Sequence, residues 1–443
     1  MAWPMIYPAP VVTAHTGVCR DVCGHQGQVR PVQPDLTGRI VLPNQRLAHR
    51  ARGLLDSADH THRSRVLSEA PWREDAIHHR RIRLMRHQTT PHRRRRRESV
   101  VVLAETRCEQ VGRLLDEVDR PDHPRDGTDP LAHKPVTSVS VSGPGRLPLD
   151  LRLDRRDEEL TPWAAAVAQH VPDATIPTDH KARPRLHPQV APGWRPDPAC
   201  RARHEPCRTT IALAIALIEE AIRHHVPLGV VVFDAWSLAE DVLQVWARRR
   251  QDRLSRLNTN RLPETASVLR RDANGWTLKL PGPHRAVEAL VPLIPATASR
   301  PVNVGEHTDG GFTLAVRLPG WGQVRRVVSG EPASLTGRSV VRVTNRPDWR
   351  AATIRRRSSP RWPTDTCDQD GTGHRGFHAS RRRSAEAMGQ HWCLVCVASS
   401  LRHLTCLPTG PGRTQGLIRT LGDACRHQGR ALLPKRLVFV HDQ

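Results

Sequence analysis

The pattern of apolar and polar positions divides this chain into segments of two periods. Val230, Val231, Val232 and Phe233 run straight into Asp234 and a helical pattern follows within a few residues, which predicts a buried strand, a turn and a helix. Ser237 and Glu240 have capping-box spacing, Leu238, Val242, Leu243 and Trp246 supply one apolar face, and Arg248 to Arg250 complement the helix C-terminus. Residues 99–106, reading SVVVLAET, repeat the arrangement as a buried strand that ends on an acid, Glu105. Positions 137–141 and 147–153 alternate in strand fashion, 210–225 reads as a buried helix, and 385–407 reads as a long apolar helix covering a sheet. Short strands punctuated by Gly and Pro recur at 275–280, 311–317 and 324–329, which predicts a β-rich insertion over 258–343. Upstream, 47–58 has helical period and Ile77, Ile82 and Met85 mark a further helix, whereas Pro-rich residues 1–45 predict only short helices or loops. The expected class is α/β, preceded by a mainly helical N-terminal region.

Charge narrows the choice of partner. Lys and Arg number 68 against 44 acidic residues in 443, a formal charge of +24, and most of the basic residues are Arg, which suits bidentate phosphate contact. Nucleic acid is the partner this implies, with the small basic helices before residue 92 as a DNA-binding region. The run Arg93, Arg94, Arg95, Arg96, Arg97 reads either as a solvated linker or as a phosphate grip; at a domain boundary in so basic a chain the second is preferred. A membrane is not expected, because the longest apolar run, 211–218, is far short of the roughly 20 residues a span needs. With no signal-peptide pattern at its start, the chain is expected in the cytoplasm, associated with the nucleoid. Cys393 and Cys396 form a CxxC inside an apolar helical run and are assigned to packing rather than to metal. One Tyr and four Phe beside 38 Pro and 29 Gly leave little aromatic core volume, so marginal stability is expected.

Candidate chemistry lies in three acids. Carboxylates at the carboxyl ends of core strands are placed where α/β sheets hold ligands and metals, but an Asp after a strand equally caps a turn, and both roles are open for Asp234. Asp365 follows Pro363 by two residues, which sets it on the first turn of a helix. Glu105, Asp234 and Asp365, if brought together, could hold two divalent cations about 3.5–4 Å apart for in-line phosphoryl transfer. Spacing alone does not single these three out of 44 acidic residues.

The segment from Arg361 resembles the C-terminal signature of the DDE transposases of bacterial insertion sequences, Tyr-x2-Arg-x3-Glu-x6-Lys, whose positions fall here on Ser358, Arg361, Asp365 and Thr372. The Arg is kept, the Glu is Asp, and the Tyr and Lys are gone. RWPTDTCDQDGTGHRGF from Arg361, VVVFDAW around Asp234 and VTNRPDW from Val343 are similar to the family's wording, and the likeness runs from LPNQRLAHRARGLLDSAD to the end. Around the first acid the family has two adjacent Asp before a Thr, and this chain has Ala104, Glu105 and Thr106.

That resemblance implies an RNase H-like catalytic core, a mixed sheet flanked by helices, with the β-rich insertion between the second and third acids. It divides the chain into a helical DNA-binding region (1–92), the first part of the core (93–257), the insertion (258–343), the second part of the core (344–410) and a tail (411–443). It implies Glu105, Asp234 and Asp365 as catalytic ligands of two Mg2+ ions, with Mn2+ able to substitute, and Arg361 as a phosphate contact. The implied activity is cutting of element ends and their joining to target double-stranded DNA, with a homo-oligomer formed on DNA. The lost motif residues imply an impaired enzyme, and the alternative is a DNA-binding remnant without chemistry.

Overall fold

The structure, a computed structural model, describes residues 9–18, 26–41, 72–89, 98–106, 108–109, 132–142, 145–154, 161–178, 182–204, 209–233, 240–256, 268–269, 278–279, 300–304, 307–318, 322–330, 340–359, 385–407 and 421–441. Its strands are β1 (Val100–Glu105), β2 (Cys108–Glu109), β3 (Ala132–His133), β4 (Pro135–Ser142), β5 (Gly145–Leu153), β6 (Val230–Phe233), β7 (Asp252–Arg256), β8 (Val268–Leu269), β9 (Leu278–Lys279), β10 (Arg300–Val304), β11 (His307–Leu318), β12 (Gly322–Gly330) and β13 (Val340–Thr344). Among the described residues, nine of them form one mixed sheet in the order β10-β11-β12-β13-β7-β6-β1-β4-β5. The pairs β1–β6 and β6–β7 are parallel, and the remaining pairs of this sheet are antiparallel. The apolar runs at 99–106 and 230–233 thus become adjacent, parallel, buried strands, as uninterrupted Val-rich segments do when both faces are covered.

The helices are α1 (Pro10–Ala14), α2 (Gln26–Val41), α3 (Glu74–Thr89), α4 (Thr161–His170), α5 (Arg183–Trp194), α6 (Pro198–His204), α7 (Thr210–Arg223), α8 (Glu240–Arg248), α9 (Ala351–Ser358), α10 (Ala385–Cys406) and α11 (Leu421–His441). They cover the sheet on two sides. One apolar cluster joins Val101, Leu147 and Leu149 of the sheet to Ile77, Ile82 and Met85 of α3 and to Leu394, Val397 and Leu401 of α10. The opposite cluster joins Val100, Val102, Val230, Val232 and Leu254 to Trp349 and to Ile354 of α9. Odd and even positions of β1 thereby fall on different faces, as the two-residue period of a strand requires. Two chain reversals feed the parallel strands. After α7, His225 (φ 50°) lets the Val226 N–H reach the Ala221 carbonyl; after α8, Arg250 (φ 49°) does the same for Gln251 and Trp246.

One expectation needs correction. Residues 26–41 form a 16-residue helix despite Pro31 and Pro34, because Val32, Leu36 and Ile40 recur at helical spacing and are all buried against the main core; burial of that stripe outweighs the cost of interior prolines. The β-rich stretch between α8 and α9 continues the core sheet. Its last strand, β13, pairs with β7, so β10 to β13 extend the core sheet at that edge. The predicted helix over 47–58 lies outside the described residues. Cys393 and Cys396 are buried in α10, in keeping with a packing role.

A bulge in β5 explains why the cationic side chain of Arg81 is buried. Pro148 has no N–H to give the ladder, and the β4–β5 register shifts there, Ser138 facing Asp150 and Val139 facing Pro148 with Leu149 passed over. The carbonyls of Pro148 and Leu149 are taken instead by Arg81 of α3, which also donates to Ser400 Oγ (3.1 Å) and meets His78 Nδ1 (3.0 Å). Since a guanidinium only donates, Nδ1 of His78 accepts and the ring proton sits on Nε2, 3.5 Å from Asp150 Oδ1. Burial is the main reason that the His78 pKa falls to about 4; Asp150 opposes the shift and Arg81 adds to it.

Acid should therefore weaken this fold before its carboxylates titrate. The folded His78 pKa lies below the unfolded value, so the unfolded chain takes up more protons between about pH 6.5 and 4. Stability is intact above that window and is lost as pH falls through it, by about 3 kcal/mol at 1.36 kcal/mol per unit. Denaturant midpoints at pH 7 and 4.5 measure this. His78→Asn, which keeps an acceptor for Arg81 but does not titrate, should narrow the difference, and an equal difference in both proteins would refute the assignment to His78.

Candidate active site

The carboxyl ends of β1 and β6 lie side by side, since the parallel register pairs Val100 with Val230 and Leu103 with Phe233. Helix α8 then returns the chain to β7, parallel to β6. The edge where β1 and β6 end is where an α/β sheet of this kind holds a ligand. Glu105 closes β1 and is half-buried, opposite Val136 of β4. Ala104 beside it is buried, and its carbonyl accepts from Thr137 Oγ1 at 3.2 Å. Of the residues expected to carry chemistry, Glu105 alone is described. Asp234, Asp365, Arg361 and Arg93 to Arg97 lie outside the described residues.

Strand phase separates the two candidates for the first acid position. Val100 and Val102 pack with Val230 and Val232 under Trp349 and Ile354, and Val101 packs on the opposite face. Alternation puts position 104 with Val100 and Val102, and Glu105 with Val101. The face shared with β6 and α9 therefore carries a methyl group at 104, and the carboxylate of Glu105 belongs to the other side.

The VTNRPDW segment performs a structural task. Thr344 Oγ1 donates to the Arg253 carbonyl (2.8 Å), Arg253 N–H donates to Asn345 Oδ1 (2.9 Å), and Asn345 Nδ2 donates to the Gln251 carbonyl (3.1 Å). Arg346 bridges Asp252 (2.9 Å) and Asp348 (2.7 Å) and stands 5.6 Å over the Trp349 ring. Together these contacts lock the end of β13 to the start of β7 and start the turn into α9. Asn345→Ala removes the side-chain partner of the Arg253 amide and of the Gln251 carbonyl, which should cost about 1–3 kcal/mol; a thermal melt checks this, and an unchanged midpoint would show the latch to be dispensable.

Ser358, at the family's Tyr position, ends α9 and turns its hydroxyl back to the Arg355 carbonyl at 2.8 Å. Its neighbour Arg357 lies 5.8 Å from the Trp349 ring. Among the described residues no helix is long and apolar enough to cross a membrane. The same residues contain a cluster that sequence reasoning missed, His170, Asp197 and Cys200, whose donor atoms all lie within 4.8 Å of one another. Asp197 and Cys200 stand three residues apart but His170 lies 27 positions before Asp197, and the three form no spacing motif, so only the fold reveals the cluster. The chain matches no protein-family model, and it matches no curated protein.

Proposed function

We propose that this chain is a DDE-type DNA transposase of RNase H-like architecture in which two-metal cleavage is impaired. The observation that carries the reading is the pair of adjacent parallel strands β1 and β6, which end together at residues 104–105 and at Phe233, the residue before Asp234. A mixed sheet with helices on both faces supports it, as does an extension of that sheet by strands that fall between Asp234 and Asp365 in the chain. The flanked mixed sheet and the place of those strands between the two acids in the chain are what the resemblance implies.

The residues fit two Mg2+ ions poorly. Ala104 offers no donor on the face it shares with Val230 and Val232, and Glu105 offers one on the opposite face. That observation favours a second reading, a DNA-binding remnant of a transposase, in which the +24 charge holds DNA and no strand is cut.

A nicking assay on DNA carrying the flanking ends of the chain's own element, with Mg2+ or Mn2+, decides between them when run beside a binding titration in salt. Binding whose logarithm falls steeply with the logarithm of salt is expected under both readings. Slow nicking that Asp234→Ala abolishes supports the impaired enzyme. Binding with no nicking supports the remnant, and absence of salt-sensitive DNA binding refutes both.

A further inference from the structure

Helices α4, α5 and α6 carry an apolar cluster of their own, built around Trp163, Val167, Val190, Trp194 and Cys200. At its edge the C-terminus of α4 meets the N-terminus of α6, and three donors of different chemistry converge: His170 Nε2, a carboxylate oxygen of Asp197 and Cys200 Sγ. His170 Nε2 is shielded from solvent and faces Asp197 Oδ2 at 3.3 Å. Cys200 is buried. Asp197 is held from behind: its Oδ1 accepts from the amides of Ala199 (2.7 Å) and Cys200 (3.2 Å), which leaves Oδ2 for the imidazole side.

A capped helix with an accompanying ion pair is the plainer account of Asp197 and His170. It does not account for the Cys200 thiol beside them, whose Sγ lies within 4.8 Å of both other donor atoms. A tetrahedral zinc site accounts for all three. Zn–N and Zn–O bonds of about 2.0–2.2 Å at the tetrahedral angle set the N···O edge at roughly 3.3–3.5 Å, and the observed edge is 3.3 Å. Imidazole and thiolate donors select Zn2+ over Mg2+ or Ca2+, which take oxygen ligands. A carboxylate fixed through its second oxygen is the outer support that metal ligands commonly have.

We propose that His170, Asp197 and Cys200 bind one Zn2+ ion, tying α4 to α6, with a fourth position left to water or an exogenous donor. On binding, the Cys200 thiol gives up its proton to solvent as the S–Zn bond forms, and His170 ligates through a ring nitrogen lone pair. This site is independent of the strand-end acids and stands whether or not the chain cuts DNA.

The test uses the full chain, stripped with a chelator and titrated with Co2+ as a spectroscopic probe for Zn2+. One equivalent should bind with a thiolate-to-cobalt charge-transfer band, be displaced by Zn2+ and be unaffected by Mg2+. Cys200→Ser should lose the band. Asp197→Asn keeps an oxygen to cap α6 but removes the charged ligand, and should weaken binding by more than about a hundredfold, beyond the 10–100-fold that outer supports command; its circular dichroism separates this loss from unfolding. Absence of the band in the unmodified chain at stoichiometric Co2+ overturns the proposal, and so does a band that survives in both variants.

Discussion

Arg81→Ala should unfold at markedly lower denaturant than the unmodified chain, with a loss of about 3–5 kcal/mol, the range seen when one partner of a buried charged network is removed. The magnitude follows from what the guanidinium does. Pro148 breaks the β4–β5 ladder, the bulge at Leu149 turns two carbonyls out of register, and Arg81 supplies donors to both from a site sealed by α3 and α10. Without it two buried acceptors lose their partner, Ser400 Oγ and His78 Nδ1 lose theirs, and a void opens between helix and sheet. Arg81→Lys should fall between the two, because a single ammonium presents three donors from one point and cannot span both carbonyls. Urea unfolding followed by circular dichroism measures all three proteins. If Arg81→Ala costs less than Asn345→Ala, the bulge is stabilised by something other than this residue.

The same contacts show which parts of this fold can be read from sequence. Val100 to Leu103 and Val230 to Phe233 announce strands because each is an uninterrupted apolar run, and their burial between two helical layers is the reason for that composition. The helix α10 was equally legible. Helix α2 was not, because Pro31 and Pro34 argue locally against a helix, and only the tertiary burial of Val32, Leu36 and Ile40 decides the matter. The joining of the insertion to the core was invisible for a related reason: β13 meets β7 through side-chain contacts of Asn345, Thr344 and Arg346 with residues some ninety positions earlier, and no local pattern records such a pairing. Position 104 is an intermediate case. A two-residue period can be read from the chain, but which phase faces α9 depends on what packs there, so Glu105 drew attention as the nearest carboxylate. Its face became evident only once Val100 and Val102 were seen against Trp349 and Ile354.

If position 104 is the vacant ligand position, then Ala104→Asp should restore chemistry that Glu105 does not supply. Three consequences distinguish this from a general effect of added charge. Ala104 is buried, so a carboxylate placed there without a cation pays a desolvation cost, and Ala104→Asp should melt below the unmodified chain in chelator. Mg2+ or Mn2+ should then raise its melting temperature more than that of the unmodified chain, because a cation that binds only the folded state stabilises it. Nicking of element-end DNA should rise by on the order of a hundredfold, the penalty that even a 1 Å misplacement of a reacting group carries, and should rise further when Asp365→Glu, Thr372→Lys and Ser358→Tyr are added, since those changes return the third acid's reach and two phosphate contacts. Mn2+ should be the more permissive ion, as Mg2+ demands near-ideal octahedral distances. Glu105→Ala in the same background should leave the gain in place, and Asp234→Ala should remove it. A gain abolished by Glu105→Ala would put the first ligand back on Glu105, and a gain that persists in Asp234→Ala would show that the acids at the ends of β1 and β6 do not form one site.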